Sequence, residues 1–210
     1  MTLQFITVRQ RGSDEFTVNR SRFIGYACPC TTEEEALSFL HDVRERHHGA
    51  THHCYAYIIG INSGIMRYSD DGEPGGTAGL PIIEVLRSQQ IVNCCVVVVR
   101  YFGGTLLGTG GLVRAYTQGC KCALQAAGIV RMERTLHYLC DVPYSCWDSV
   151  LHASEKLPVH ISNVDFGVSV TFMMAVRASD SDAILASMSN ITSRKIDIIP
   201  ADESFDPWEI

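Results

Sequence analysis

Two clusters in this chain hold residue types able to do chemistry. The first is Arg100-Tyr101-Phe102 followed by Gly103, Gly104, Gly108, Gly110 and Gly111, with Arg114 three residues further on. Glycines at that density allow positive φ and close approach of a backbone or an anion. Amides at a helix N-terminus bind phosphate, and flanking arginines add charge. The spacing Gly103-x4-Gly108 imitates a phosphate loop, but Thr109 stands where that loop needs its lysine. The segment Gly108-Thr109-Gly110-Gly111-Leu112-Val113 lacks the third glycine of a dinucleotide fingerprint. A backbone-anion site and simple tight packing both remain open.

The second cluster is Asp70, Asp71 and Glu73 in a turn rich in glycine and proline. Three acids there suit a hard cation or acid/base work, and equally suit turn and helix caps. His52, His53 and Cys54 precede them, but neighbours on a strand point to opposite faces and do not converge on one ion. Cys28-x-Cys30 and Cys120-x-Cys122 lack zinc-knuckle spacing. No metal and no cofactor is expected. Arg20 and Arg22, at i and i+2, are expected on one side of a strand, as a solvated face or a phosphate-contacting pair.

The elements that must hold these groups follow from periodicity. Cys94-Cys95-Val96-Val97-Val98-Val99 shows no polar alternation, as expected of a strand buried on both faces. Leu112, Val113, Tyr116, Ala123, Leu124 and Ala127 recur at helical spacing after the glycines. Earlier, strands are expected over residues 3–8, 16–27 and 52–60, with a short one near 66–68. Thr32 and Glu35 fit a capping box for a helix whose stripe is Ala36, Phe39, Leu40 and Val43. Thr77 is expected to cap a helix over residues 78–90. These elements make an α/β sandwich near residues 1–131.

Residues 132–210 change rhythm: strand 135–142, a helix after Ser145, strands 159–164 and 168–176, a helix from Asp180, and strand 196–199. That βαββαβ order is the ferredoxin-like pattern. The acidic tail 202–210 is expected to be loosely held.

Composition agrees with a soluble α+β protein of 210 residues, 46% hydrophobic and 19% charged. No apolar stretch approaches the roughly 20 residues that span a bilayer, and residues 1–16 carry no secretory pattern. Nine cysteines, an odd number set in core-like sequence, read as cytosolic thiols. The net charge of −6 is uneven: residues 1–131 hold 12 Lys and Arg against 11 acids, residues 132–210 hold 5 against 12. Polyanion binding is therefore expected of the first domain alone.

His52-His53-Cys54, Tyr68-Ser69-Asp70-Asp71-Gly72-Glu73-Pro74, Thr77-Ala78-Gly79-x-Pro81 and Val99-Arg100-Tyr101-Phe102-Gly103-Gly104 with Leu107-Gly108-x-Gly110-Gly111-Leu112 closely resemble the bacterial YigZ branch of the IMPACT family. Asn19-Arg20-Ser21-Arg22-Phe23 resembles its entry strand. The resemblance implies a left-handed βαβ domain like domain IV of elongation factor G, followed by a ferredoxin-like domain like its domain V. Eukaryotic relatives with an added RWD domain restrain the activator of an initiation-factor kinase, and this chain has no residues left for that domain.

The leading expectation is a cytoplasmic, non-enzymatic protein that binds RNA or the ribosome and modulates translation. Its surface would be Arg20, Arg22, His52, His53, Arg100 and Arg114 around the glycine loop, with Tyr101 as a stacking platform. An enzyme acting on a small phosphorylated or peptide-like substrate through Asp70, Asp71 and Glu73 is the alternative. A protein partner for the acidic second domain is the third reading.

Overall fold

The structure, a computed structural model, describes residues 4–209. Its elements are β1 (Gln4–Val8), β2 (Gly12–Val18), β3 (Ser21–Pro29), α1 (Glu33–Arg46), β4 (His52–Ile59), β5 (Ile65–Ser69), α2 (Gly79–Ser88), β6 (Cys94–Tyr101) and α3 (Gly108–Ala127). Then come β7 (Ile129–Val142), α4 (Tyr144–Ser154), β8 (Val159–Phe166), β9 (Val170–Arg177), α5 (Ser181–Ile191) and β10 (Asp197–Glu209). The chain divides into two compact units, one built on Phe5–Arg131 and the other on Met132–Pro207. Gln4 groups with the second unit and Trp208 with the first.

The first unit is organised on β6, whose residues from Cys94 to Val99 are all 0% exposed. Sheet order is β2-β3-β6-β4-β5, every neighbouring pair antiparallel. Cys94, Val96 and Val98 pack toward α2 and α3, while Cys95, Val97 and Val99 pack under α1. A strand with helices on both sides has no reason to alternate. The α1 helix starts at the expected capping box: the Glu35 amide donates to the Thr32 hydroxyl at 3.2 Å, and the Glu35 carboxylate accepts from the Thr32 amide at 3.4 Å.

The topology requires one crossover of unusual hand. β3 and β4 each run antiparallel to β6, so β3-α1-β4 is a parallel crossover stepping over β6. β5-α2-β6 is a second, stepping back over β4. The two run in opposite directions, both along the strands and across the sheet. A half-turn about the sheet normal therefore superimposes their paths but leaves their helices on opposite faces. One crossover is consequently right-handed and the other left-handed, against the strong general preference.

The second unit has the βαββαβ order. Its sheet runs β7-β9-β8 with β10 also on β7, and α4 and α5 cover one face through Val150, Ile184 and Met188. Three expectations are corrected here. Residues 16–27 are not one strand: Asn19 and Arg20 have φ of +46° and +64° and form a hairpin turn between β2 and β3. Strand β1 is not part of the first sheet, although Phe5, Ile6 and Val8 pack against that unit's core. The tail is not loose, since β10 runs to Glu209 and Trp208 is 2% exposed.

Candidate functional site

Alternation along β6 decides where the singled-out residues go. Arg100 lies on the α3 side of the sheet, and Tyr101, next along, on the α1 side. In register, Phe23 and His52 flank Arg100, while Arg22 sits opposite Tyr101. The expected contact residues are therefore divided between the two faces of the sheet.

On the α3 side, Arg100 is 4% exposed, and its guanidinium donates to Glu73 Oε1 at 2.6 Å and to Ser21 Oγ at 3.3 Å. The Tyr116 hydroxyl donates to the same Glu73 oxygen at 2.7 Å. Burial, with Cys54 and Glu73 beside it, pushes the Tyr116 phenol up and keeps it a donor. His52 Nε2 lies 3.9 Å from Glu73 Oε2, and the rings of Phe23 and Phe102 cover the guanidinium at 5.5 and 5.4 Å. Arg100 is thus neutralised inside the fold. It is unavailable to phosphate, which corrects the expectation drawn from its place before the glycines.

The acidic turn is likewise spent on structure. Asp70 accepts from the amides of Ala78 and Gly79 at 3.0 and 2.8 Å through one oxygen, and from Gly76 at 2.9 Å through the other. It caps α2 from eight residues upstream of Ala78, at the positive end of the helix. Thr77, the expected cap, instead donates its hydroxyl to the Pro74 carbonyl at 2.6 Å. Asp71 accepts from the His53 amide at 2.6 Å and pairs with Arg44 at 3.4 Å. His52 Nδ1 bonds the Asp71 carbonyl at 2.8 Å, and His53 Nε2 bonds the His47 carbonyl at 3.1 Å. Among the described residues no three His, Cys, Asp or Glu side chains are grouped to hold a metal.

On the α1 side, the Tyr101 hydroxyl meets His47 Nδ1 at 2.9 Å, and Tyr26 meets His47 Nε2 at 2.7 Å. Arg22 lies over the Tyr101 ring at 5.9 Å while paired with Glu15. Tyr101 is half-buried with its edge engaged, so it is no open stacking platform.

The glycine loop presents a different surface. A Cβ at Gly103 would sit 2.0 Å from the Arg20 carbonyl, so Gly103 lets the β2–β3 turn press against the loop. Gly104 and Gly108 have φ of +81° and +68°, and α3 then begins with no side-chain cap and no acid in its first turn. Gly110 lies beside the Arg114 head group, and Gly111 packs on Leu107. Between Val18 and Asn19 on one side and Leu107, Gly111 and Arg114 on the other is a groove of about 270 Å³. Arg20 and Arg114 are both exposed, and among the described residues neither has a carboxylate partner.

Sequence reasoning missed the roles of Ser21, His47 and Tyr116. Tyr116 offered a signal: a phenol on an apolar helix face needs a buried acceptor. Ser21 and His47 offered none, because their partners lie 79 and 54 residues away.

The sequence signature of the Impact N-terminal domain spans residues 19–124, the segment that holds both clusters. The chain is 35% identical over 200 residues to IMPACT family member YvyE of Bacillus subtilis (strain 168), covering 94% of this chain and 91% of that one. It is 36% identical over 185 residues to an IMPACT family member of Haemophilus influenzae, covering 87% and 89%. A crystal structure of a hypothetical protein, 30% identical, matches 97% of this chain and all of its own with a TM-score of 0.60. On these matches, which run nearly the whole length of both partners, the chain belongs to the IMPACT family.

Proposed function

We propose that the first domain binds the phosphate backbone of RNA, at the ribosome, and thereby modulates translation. One observation carries this reading. Of the four arginines near the glycine loop, Arg22 and Arg100 are paired with Glu15 and Glu73, whereas Arg20 and Arg114 are exposed and, among the described residues, have no carboxylate partner. Exposed guanidinium groups near a helix start without a side-chain cap suit one or two phosphates. The ribosome as partner rests on the likeness to elongation-factor domains, which is fold analogy.

The test is co-sedimentation with ribosomes at about 50 and about 200 mM salt, a range over which a multi-phosphate contact weakens by orders of magnitude. Salt-sensitive pelleting that the Arg20→Ala/Arg114→Ala double variant abolishes is the expected outcome. Pelleting that the double variant leaves unchanged overturns the site. Arg100 is left intact, because replacing it would test folding.

A further inference from the structure

The two most exposed aromatic side chains among the described residues, Phe166 at 60% and Tyr144 at 52%, lie together in the second unit. Phe166 ends β8 and Tyr144 opens α4, and their rings stack at 6.4 Å between centres. The stack is rooted in the core: Trp147 meets Phe166 edge-on at 5.9 Å and the buried Phe172 at 5.4 Å. Val168, in the turn from β8 to β9, adds a fully exposed apolar side chain. Large apolar groups gathered on a surface mark sites of association, and aromatic residues are enriched in them.

The patch is held in place. The Tyr144 hydroxyl donates to the Gly167 carbonyl at 2.9 Å, and the Ser169 hydroxyl donates to Asp141 at 2.8 Å. Both sides of the turn are thereby tied down, so docking on it costs little ordering entropy.

Its charge is of one sign. Asp148 stands four residues after Tyr144, on the same face of α4. Asp165 precedes Phe166 and lies, with Asp141, beside Thr171 on the opposite face of the sheet. Among the described residues none of these three carboxylates is paired with a cation. Arg134 and Arg177 of this unit are engaged by Glu203, Glu133 and Asp180. Arg194 and Lys195 follow α5, whose end meets α4 at Cys146, roughly 200° around that helix from Tyr144.

This combination selects the occupant. Phosphates, whether of RNA or of an anionic lipid surface, would meet three carboxylates. A second copy offering the same patch would set those acids against one another. A polypeptide fits when it carries an apolar side chain for Phe166 and Val168 and a lysine or arginine for Asp148 or Asp165. Its cation gains further from the aromatic ring faces. We propose that the end of the second unit formed by Tyr144, Phe166 and Val168 is a docking surface for a basic, partly apolar segment of another protein.

The experiment titrates the full chain into a fluorescein-labelled peptide of alternating lysine and leucine, read by anisotropy. Control peptides replace the leucines by serine or the lysines by glutamate. The lysine–leucine peptide is expected to bind roughly tenfold or more tighter than either control. Phe166→Ser, Val168→Ser and the double variant Asp148→Asn/Asp165→Asn are each expected to weaken it by roughly tenfold. Val168 is fully exposed, so Val168→Ser reads docking and not folding. Asp182→Asn/Asp202→Asn removes the same charge from α5 and β10 and is expected to change nothing. Equal binding of the lysine–serine peptide, or an equal loss in that distant double variant, reduces the effect to net charge and overturns the proposal. Binding of a labelled oligouridylate that Phe166→Ser abolishes, or self-association that Val168→Ser abolishes, overturns the choice of occupant.

Discussion

The two sheets of this protein treat charge in opposite ways. In the first, helices cover both faces, so the polar end of β6 is sealed, and Arg100 is held by Glu73, Ser21 and two aromatic rings. In the second, α4 and α5 cover one face, and β9 alternates buried and less buried positions. No ion pair there is sealed as Arg100 is: Arg134 grips Glu203 with two bonds of 2.6 Å, both side chains about half exposed, and the partly buried His137 meets Asp206 at 2.9 Å. The lesson is that a charged residue on the central strand of a doubly covered sheet is committed to the fold. Chemistry with outside partners has to come from turns and helix ends, which is where Arg20 and Arg114 are.

The contrast breaks most visibly at Arg100. Arg100→Met strands Glu73 in the core and is expected to cost about 3–5 kcal/mol in urea unfolding, as removing one partner of a buried pair does. A cost below about 1 kcal/mol would put the first sheet on the footing of a surface pair. Gly25→Ala, which aims a Cβ 2.1 Å from the Gly119 carbonyl of α3, is expected to cost about 1–3 kcal/mol in the same measurement. Asp70→Ala uncaps α2 and is expected to cost about 1–2 kcal/mol.

A pH series sharpens the difference further. Burial, then the nearby charge of His53 and Arg22, holds the His47 imidazole below its ordinary value. Just below pH 6.5 the unfolded chain therefore binds the proton that the folded chain refuses. The contribution of His47 is complete above that pH and is lost as pH falls toward its folded value. His47→Gln should flatten this part of the stability curve. The smallest effect is expected from Arg134→Ala in the second sheet, whose midpoint in urea should hardly move because both partners face water.

Local pattern carried much of this fold. The unbroken run at Cys94–Val99, the Thr32/Glu35 box and the βαββαβ rhythm each depend on neighbours in sequence, and each stands where expected. Partners supplied from a distance were invisible. Asp70 caps α2 across a loop, so Thr77 was the natural local candidate. β10 carries Pro200, Asp202, Glu203, Asp206 and Pro207, a loop-like composition, and its strand exists because β7 offers it an edge. Arg20 and Arg22 share a strand face only if no turn intervenes, and the turn is set by backbone at Asn19 and Arg20. For the candidate site, residue types were legible, but which arginines were already paired was not.

The place of β6 has a consequence for how the chain is made. The strand at the centre of the first sheet comes last of its five in sequence, after β2, β3, β4 and β5. As the chain leaves the ribosome, only two local hairpins can form at first, β2–β3 and β4–β5. The inner edges of β3 and β4 then stay unpaired until residue 101 has emerged and β6 inserts between them. Those edges are open to mispairing throughout that interval. A sheet closed by its latest strand also has many contacts distant in sequence, which makes its assembly slow. Chaperone dependence during synthesis should accordingly fall sharply once the nascent chain passes β6.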